Sequence, residues 1–179
     1  MKTNKICEIH NFEVKLDGEI IFQSETKNFA EFAKEFYKKI NIDYPKFHKM
    51  DNLTKLAFLA SELCLSTENQ KDTALIFANK SSSLDTDLKH QQSINDRENY
   101  FPSPAVFVYT LPNICLGEIS IRHQLQTENI FFVMEDFNRN LLDKYAENLL
   151  KSGKATQALC GWVELLGDYH RAFVYLLNY

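Results

Sequence analysis

An apolar run of strand length leads directly into an amphipathic helix in residues 127–137, which read TENIFFVMEDF. The run from Ile130 to Met134 predicts a buried strand, and a helix is predicted from about Phe137 to Lys151, closed by Gly153. Glu135 and Asp136 stand at the junction. Because a buried strand that passes straight into a helix is typical of α/β proteins, this segment constrains the fold more than any other.

The rest of the chain alternates strands with helices in the same way. Apolar runs predict strands at residues 5–9, 19–23, 73–78, 157–163 and 172–177. Helical spacing and N-cap residues predict helices that begin near Asn28, near Asp51 or Asn52, near Asp85 and after Pro112-Asn113. The segment 105–109 fits a strand or a helix. The helix after Pro112-Asn113 is predicted to carry an apolar stripe made up of Ile114, Gly117, Ile121 and Leu125. The order predicts one domain over residues 1–179, an α/β fold with a mixed, mostly parallel sheet and helices packed on its faces.

Composition excludes several classes of function. The chain has 179 residues, of which 45% are hydrophobic, with 14 Phe and 8 Tyr, so it can bury a substantial core. A net charge of −4 gives no electrostatic footprint for nucleic acid. No apolar run approaches the ~20 residues that cross a bilayer. The first residues become acidic too early for a signal peptide, so we expect a cytoplasmic protein.

Metal and cofactor sites are not expected either. Cys7, Cys64, Cys115 and Cys160 are far apart in apolar segments, which indicates buried, reduced thiols. The five histidines show no spacing typical of metal ligands, and the glycines are isolated, so no phosphate loop is predicted. Residues 81–83, three serines, are interpreted as a solvated loop, and Trp162 as a core or subunit-interface residue.

Four segments in linked order carry a resemblance to a known family. MDNLTKLA from Met50 is similar to its "M-D-x-x-S/T-x-L-A" opening, and residues 73–87 to the strand and loop that follow. Residues 103–123, with Pro112-Asn113 and Gly117, resemble "P-x-x-F-x-x-x-x-P-N-x-x-x-G-x-I-A-I". Residues 142–164 end in ALCGWVE, which is similar to "A-G-G-x-E". The family is the β-ketoacyl synthases (ketosynthases), and the resemblance is strongest over 45–177 with the N-terminal half of their thiolase-like fold.

The resemblance implies a lost nucleophile. In ketosynthases the strand-to-helix elbow presents the cysteine that receives the acyl chain, and here that position falls at or within one residue of Asp136, beside Glu135. A carboxylate cannot replace a thiolate in thioester exchange, which needs a soft nucleophile that is easily displaced. Asp136 is therefore expected to serve as the helix N-cap. A decarboxylation-only role and an anion-repelling pocket remain the alternatives at this position.

The length and the helix after the elbow point to a stand-alone half. The sequence ends at Tyr179, before the half that carries the catalytic histidines of ketosynthases. In those enzymes two similar halves stack, and the helix after the elbow lies between two sheets. Here that helix has one plainly polar face, made up of Arg139, Asn140, Asp143, Lys144, Glu147, Asn148 and Lys151.

Two hypotheses about function follow. The first is a half-length, non-catalytic accessory subunit in fatty acid, polyene or polyketide-like assembly. It pairs with itself or with a full ketosynthase near Ile130 to Met134, and an acyl carrier protein is a further possible partner. The second is a thiol-dependent acyltransferase or thioester hydrolase that uses Cys115 or Cys160 with His123 or His170. An unrelated interaction role on the same fold is a third interpretation.

Overall fold

The central strand of the sheet, β4 (Thr73–Asn79), is buried along its whole length. Its sequence, TALIFAN, is apolar on both sides because helices cover both faces of the sheet there. The computed structural model describes residues 1–65, 71–98 and 100–178. The predicted domain 1–179 therefore includes three stretches, 66–70, Asn99 and Tyr179, that lie outside the described residues.

Seven strands and six α-helices are formed by the described ranges. The strands are β1 (Lys2–His10), β2 (Glu13–Leu16), β3 (Glu19–Gln23), β4, β5 (Asn129–Val133), β6 (Gln157–Leu166) and β7 (Tyr169–Asn178). The helices are α1 (Phe29–Lys39), α2 (Asn52–Cys64), α3 (Leu84–Ile94), α4 (Pro104–Val108), α5 (Ile114–His123) and α6 (Arg139–Lys151), with a 3₁₀ helix at Pro45–Lys49.

The strands form one mixed sheet in the order β3-β2-β1-β7-β6-β4-β5. The predicted mixed α/β sheet is confirmed, but the expectation that it is mostly parallel is wrong. Within the described residues the only parallel pairs are β4 with β5 and β4 with β6. The tight turns at Asn11-Phe12, Asp17-Gly18 and Gly167-Asp168 force antiparallel pairing on the strands they join.

One side of the sheet, called the closed face here, is covered by helices α1, α2 and α5. Side chains alternate along each strand, and those that point to this side join a large apolar core with the helices. Phe58 of α2, which is fully buried, stacks on Tyr44 with a ring separation of 5.5 Å and lies 5.6 Å from Phe47. The closed face therefore holds the main core of the molecule.

Among the elements of the described residues, α6 alone covers the opposite side. This helix packs on β4 and β6 through Leu142, Ala146, Leu149 and Leu150, and its C-terminal cap contains Gly153 at φ 70°, as predicted. Over β1, β2 and β3 this side is bare, and the surface there is called the open face. Its shallow pocket, about 520 Å³, is lined by Glu8, His10, Asn11, Glu13, Lys15, Gln23, Arg171 and Ala172.

Other local predictions had mixed outcomes. Asn28 and Asp51 cap α1 and α2 as expected, accepting from the backbone N–H groups of Glu31 and Thr54. Strand β2 was not predicted, and the segment 105–109 lies largely within helix α4. Within the described ranges, no helix is both long and apolar enough to cross a membrane.

Helix α5 buries a different side from the apolar stripe predicted by its sequence. That stripe, Ile114, Gly117, Ile121 and Leu125, is only partly buried: Ile114 and Leu125 pack against the core, but Ile121 is exposed. The buried residues are Cys115, Leu116, Glu118 and Ile119. Burial of Glu118 is possible because its carboxylate accepts from the Tyr109 hydroxyl at 3.2 Å and pairs with Lys46 at 2.8 Å.

Candidate functional site: the elbow between strand β5 and helix α6

Strand β5 ends at the elbow that the sequence indicated. The backbone N–H of Met134 donates to the Asn79 carbonyl at 2.9 Å, which extends the pairing with β4 by one residue. The chain then bends at Glu135 and Asp136, and both side chains are exposed. The elbow therefore lies at the carboxyl ends of the parallel strands, where open α/β sheets carry their ligand sites.

Asp136 does not cap helix α6, so that prediction is wrong. The N-cap is Asn138, whose side-chain oxygen accepts from the Leu141 N–H at 3.1 Å. Helix α6 starts two residues later than predicted because Phe137 packs against Trp162 and Phe173, with ring separations of 5.9 and 5.6 Å. Asp136 thus has no capping role.

Glu135 is tied to the loop after β4. Its carboxylate forms an ion pair with the Lys80 ammonium group. The hydrogen bond to Glu135 raises the pKa of Lys80 above its ordinary value. Because both side chains are largely exposed, water and salt screen this pair, and it fixes geometry more than it stabilises the fold.

Glu164 is the buried acid of the site, and the sequence reasoning did not single it out. It lies near the end of β6, 6% exposed, and its Oε2 accepts from the backbone N–H groups of Lys80 at 2.6 Å and Ser81 at 3.2 Å. The Asn79 side chain holds the same turn by exchanging two hydrogen bonds with the Ser82 backbone. Residues 81–83 consequently form an ordered turn. The sequence feature that could have pointed to Glu164 is a charged residue near the end of an otherwise apolar, buried strand.

An open pocket of about 430 Å³ lies between these groups. It is lined by Lys80, Ser81, Glu135, Asp136, Phe137, Trp162, Glu164, Leu166, Tyr169 and Arg171. Trp162, interpreted from sequence as a core or interface residue, thus forms part of the pocket wall. No cysteine and no histidine is among the described residues that line it, so the pocket offers no thiol–imidazole pair for acyl transfer.

Cys115 and His123 are not brought together. Cys115 is buried on α5, and burial raises the pKa of its thiol. His123 lies eight residues further along the same helix, which corresponds to ~12 Å. Its Nε2 is 2.8 Å from Glu62, whose carboxylate also accepts from Arg122. Burial opposes ionisation of Glu62, but the hydrogen bonds from these two residues outweigh it and lower the Glu62 pKa.

Cys160 and His170 are separated by the sheet itself. Cys160 points toward α6 and is fully buried, and burial raises the pKa of its thiol. His170 pairs with Leu165, five positions along β6 from Cys160, or ~17 Å. Its ring lies on the closed face against Phe12 and Phe32. These positions give neither thiol a nearby imidazole base among the two histidines considered.

The His170 ring is held in one neutral form. The Phe12 backbone N–H donates to Nε2 at 3.3 Å, so Nδ1 carries the proton and donates to the Asp168 carbonyl at 3.2 Å. Burial lowers the pKa of His170 below its ordinary value. His170 therefore has a structural role. Among the described residues no group of three or more His, Cys, Asp or Glu side chains is arranged to hold a metal ion.

Comparisons with known proteins support the resemblance at the level of fold. No protein-family model matches the chain, and no curated protein matches it. Solved structures do. The ishigamide ketosynthase/chain length factor aligns with a TM-score of 0.70 and 18% identity, over 99% of this chain and 61% of that one. A ketosynthase in complex with its chain length factor from Xenorhabdus doucetiae aligns with a TM-score of 0.67 and 14% identity, over 99% and 78%.

A third structure gives the same result. It is a type II polyketide synthase acyl carrier protein in complex with its ketosynthase bound to the hexaketide, with a TM-score of 0.71, 14% identity, and coverage of 98% of this chain and 62% of that one. The chain thus spans about three fifths of the length of the first and third of these proteins. The described part of the chain has the thiolase-like fold that ketosynthases and chain length factors share.

Proposed function

We propose that this chain is a half-length, non-catalytic ketosynthase-like subunit that acts as a partner in acyl-chain assembly of the fatty acid, polyene or polyketide type. The observation that carries the proposal is the acid elbow. Glu135 and Asp136 occupy the bend between β5 and α6, where the resemblance places the nucleophilic cysteine. The likeness to complexes of ketosynthases with chain length factors supports the choice of pathway.

The chemistry of the elbow agrees with a lost activity. Acyl transfer between thioesters needs a strong nucleophile that is also easily displaced again. A thiolate meets both requirements, and an exposed carboxylate does not. All four cysteines of the chain are buried away from the pocket. Burial also raises the pKa of the Cys115 and Cys160 thiols, which argues against thiol catalysis at neutral pH.

The open face supports a subunit that functions without a second stacked half. A second half would have to cover Glu8, Glu13 and Lys15, together with the outer side of α6. Lys15 already pairs with Glu13 at 2.9 Å, but taking even paired charges out of water costs several kcal/mol for each ion, which their attraction offsets only with further hydrogen bonds. The polar outer side of α6 is consistent with the same interpretation, because Lys144 and Asn148 point to solvent.

The edge strand β5 provides the surface for pairing. It is the last strand of the sheet formed by the described residues, with β4 as its neighbour, so one side of its backbone is unpaired. Val133 at its end is 58% exposed. An exposed apolar edge invites a strand from another chain, and natural proteins rarely leave one uncovered. We infer that a full ketosynthase, which has an equivalent elbow strand by the family resemblance, pairs with this edge.

The pairing can be tested with two matched edge variants. The chain is co-expressed with a full-length ketosynthase of the same cell, and the mass of the complex is measured by light scattering. Val133→Lys places a charge at the β5 edge and should abolish the complex. Ile20→Lys, at a similarly exposed position on the opposite edge strand β3, should leave it intact. If the unaltered chain remained monomeric when co-expressed with the ketosynthase, the proposal would be contradicted.

The absence of acyl transfer is tested by intact mass. The protein is incubated with malonyl- and longer acyl-carrier thioesters, and we expect no adduct of acyl mass. An adduct that disappears with Cys115→Ser or Cys160→Ser would overturn the proposal and establish a thiol acyltransferase.

A further inference from the structure

The open pocket of about 430 Å³ beside Glu135 and Asp136, called the elbow pocket here, has an aromatic and apolar wall. The wall consists of Phe137, Trp162, Leu166 and Tyr169. Tyr169 is 49% exposed. In the part of the chain that the structure describes, no lysine or arginine lies over the Trp162 or the Tyr169 ring. The wall is therefore available to a ligand that carries an apolar stem or a cation.

A nearly buried carboxylate lines the same pocket. Glu164 is 6% exposed, and its Oε2 already accepts from the two backbone N–H groups of Lys80 and Ser81. Its other oxygen, Oε1, has no hydrogen-bond donor among the described residues, and it is not one of the fully buried atoms that lack a partner. Because a carboxylate oxygen withdrawn from bulk water needs a donor, Oε1 favours a ligand that supplies one.

Asp136 is the second acid of the pocket without a partner. It is exposed, and it makes no hydrogen bond and no ion pair within residues 1–65, 71–98 and 100–178. Glu135 differs from it, since the Lys80 ammonium group already neutralises that carboxylate. Asp136 and the Oε1 atom of Glu164 are therefore left as two negative groups that a ligand can satisfy.

Arg171 does not cancel this negative charge. It lines the elbow pocket and also the open-face pocket, where Glu8 and Glu13 lie. Five carboxylates share the two pockets with three lysine or arginine side chains and one histidine, and the carboxylates are those of Glu8, Glu13, Glu135, Asp136 and Glu164. An excess of negative charge in a cleft attracts cations and repels anions.

We propose that the elbow pocket binds an organic cation, namely the ammonium or guanidinium group of a lysine or arginine side chain of the partner ketosynthase. The identity of the partner rests on the proposed function, and the preference for a cation does not. Oε1 of Glu164 and the Asp136 carboxylate accept hydrogen bonds from the cationic group, and such charge-assisted bonds are stronger than neutral ones. Trp162 and the rest of the wall contact the apolar stem of the side chain.

The shape of the pocket favours a side chain of another protein over a free amine. Sites for small molecules enclose most of the ligand surface, whereas the elbow pocket is open at its rim, where Glu135 and Asp136 are exposed. The rim begins where β5 ends, because Met134 continues the pairing with β4 and Glu135 is the next residue. A chain that pairs with the edge of β5 at Val133 is thus within two residues, or ~7 Å, of the rim.

The fluorescence of Trp162 tests the preference for a cation directly. Trp162 is the only tryptophan of the chain, and it lines the pocket. The isolated chain is titrated at constant ionic strength with acetyl-lysine amide, acetyl-arginine amide and, as a neutral control of matched length, acetyl-norleucine amide. We expect a saturable change with the two cations and binding about tenfold or more weaker with the neutral compound. Equal binding of all three compounds, or no change with any of them, would overturn the cation site.

Three variants assign the binding to the two acids. Glu164→Gln removes the nearly buried charge and should weaken binding of the cations about tenfold or more. Asp136→Asn should weaken it about two- to fivefold, because solvent screens an exposed pair, and it leaves the fold intact since Asp136 makes no bond among the described residues. Asp43→Asn, at an exposed carboxylate between α1 and the 3₁₀ helix, is the matched control and should have no effect. Unchanged affinity in both pocket variants would contradict the inference.

The same variants identify the source of the cation. In the chain co-expressed with a full-length ketosynthase, Glu164→Gln and Asp136→Asn should weaken the complex by similar factors, and Asp43→Asn should not. A complex of unchanged affinity, formed by variants that no longer bind the cations, would overturn the assignment to a ketosynthase side chain. If the unaltered chain forms no complex, the proposed pairing fails and this assignment fails with it, whereas the titration of the isolated chain still decides whether the pocket binds a cation.

Discussion

The two faces of the sheet differ in what covers them. The closed face carries α1, α2 and α5 and the large core that includes Phe32, Phe36 and Phe58. In the part of the chain that the structure describes, the opposite side carries only α6, and beyond it the open face presents charged residues such as Glu13 and Lys15 to solvent. The closed face is packed like a protein interior, and the open face is exposed and charged like a protein surface.

Because the two faces differ in burial, mutations on them should affect different properties of the protein. Mutations on the closed face should act mainly on the free energy of unfolding, because its residues have no other partner than the core. Mutations on the open face should have small effects on stability. If they affected association with a ketosynthase, the open face would be an interface and the comparison would fail.

The largest effect is expected from truncating a closed-face side chain. Phe58→Ala removes a fully buried ring that contacts Tyr44 and Phe47, and should lower the free energy of unfolding by about 3–5 kcal/mol. Ile20→Ala is the matched change on the open face, where Ile20 is paired with Lys15 and exposed. It should cost about 0.5 kcal/mol or less. Denaturant unfolding measures both values, and similar losses would contradict the comparison.

A smaller effect is expected at a glycine of the closed face. A Cβ at Gly161 would lie 2.9 Å from Val174 Cγ2 and 3.3 Å from the Phe173 carbonyl oxygen. Gly161→Ala should therefore destabilise the protein by about 1–3 kcal/mol. Gly117 lies inside α5 with nothing within 4 Å of an added Cβ. Gly117→Ala should instead stabilise by about 0.5–1 kcal/mol, and thermal melts should show shifts of opposite sign.

The closed face should also make stability depend on pH. Burial lowers the pKa of His170, so below its ordinary pKa of about 6.5 the unfolded chain binds a proton that the folded protein excludes. Stability should fall as the pH is lowered through about 6.5, and this part of the fall should be absent in His170→Gln. Unfolding at about pH 7.5 and about pH 5.5 measures it. His48→Gln, at an exposed histidine, is the control, and a fall unchanged in His170→Gln would refute the assignment.

The smallest effect is expected on the outer side of α6. Leu141 is 41% exposed there. Leu141→Lys should change the free energy of unfolding by about 0.5 kcal/mol or less and leave the proposed complex with a ketosynthase intact. Loss of the complex would mean that a partner covers α6, and the open side would then have to be regarded as an interface.

The sequence predicted the individual helices and strands better than the tertiary contacts between them. Strand β4 followed from a continuous apolar run and the amphipathic helix α6 from apolar periodicity, and Asn28 and Asp51 were recognisable caps. Asp136 was misassigned because Asn138, two residues on, is an equally good cap residue. The choice depended on the packing of Phe137 against Trp162, a contact between distant segments that periodicity does not contain.

The same limit explains the other errors. Which side of α5 is buried depends on Lys46 and Tyr109, which make burial of Glu118 possible. Glu164 acquires its role only because the loop after β4 directs two backbone N–H groups at it. The mostly parallel sheet was an inference from alternating elements, and it failed because short turns at both ends of the chain create antiparallel pairs.

The pairing of β1 with β7 also determines when the molecule can be completed during synthesis. Lys2 lies opposite Asn178 in the register, so β1 has its central-sheet neighbour more than 150 residues further along the chain and therefore synthesised much later. Strands β1, β2 and β3 can form their own meander early, but they cannot join the rest of the sheet before β7 has emerged. Final assembly of the sheet thus waits for β7, and until then the meander and the β4–β5–β6 part each keep an unpaired strand edge.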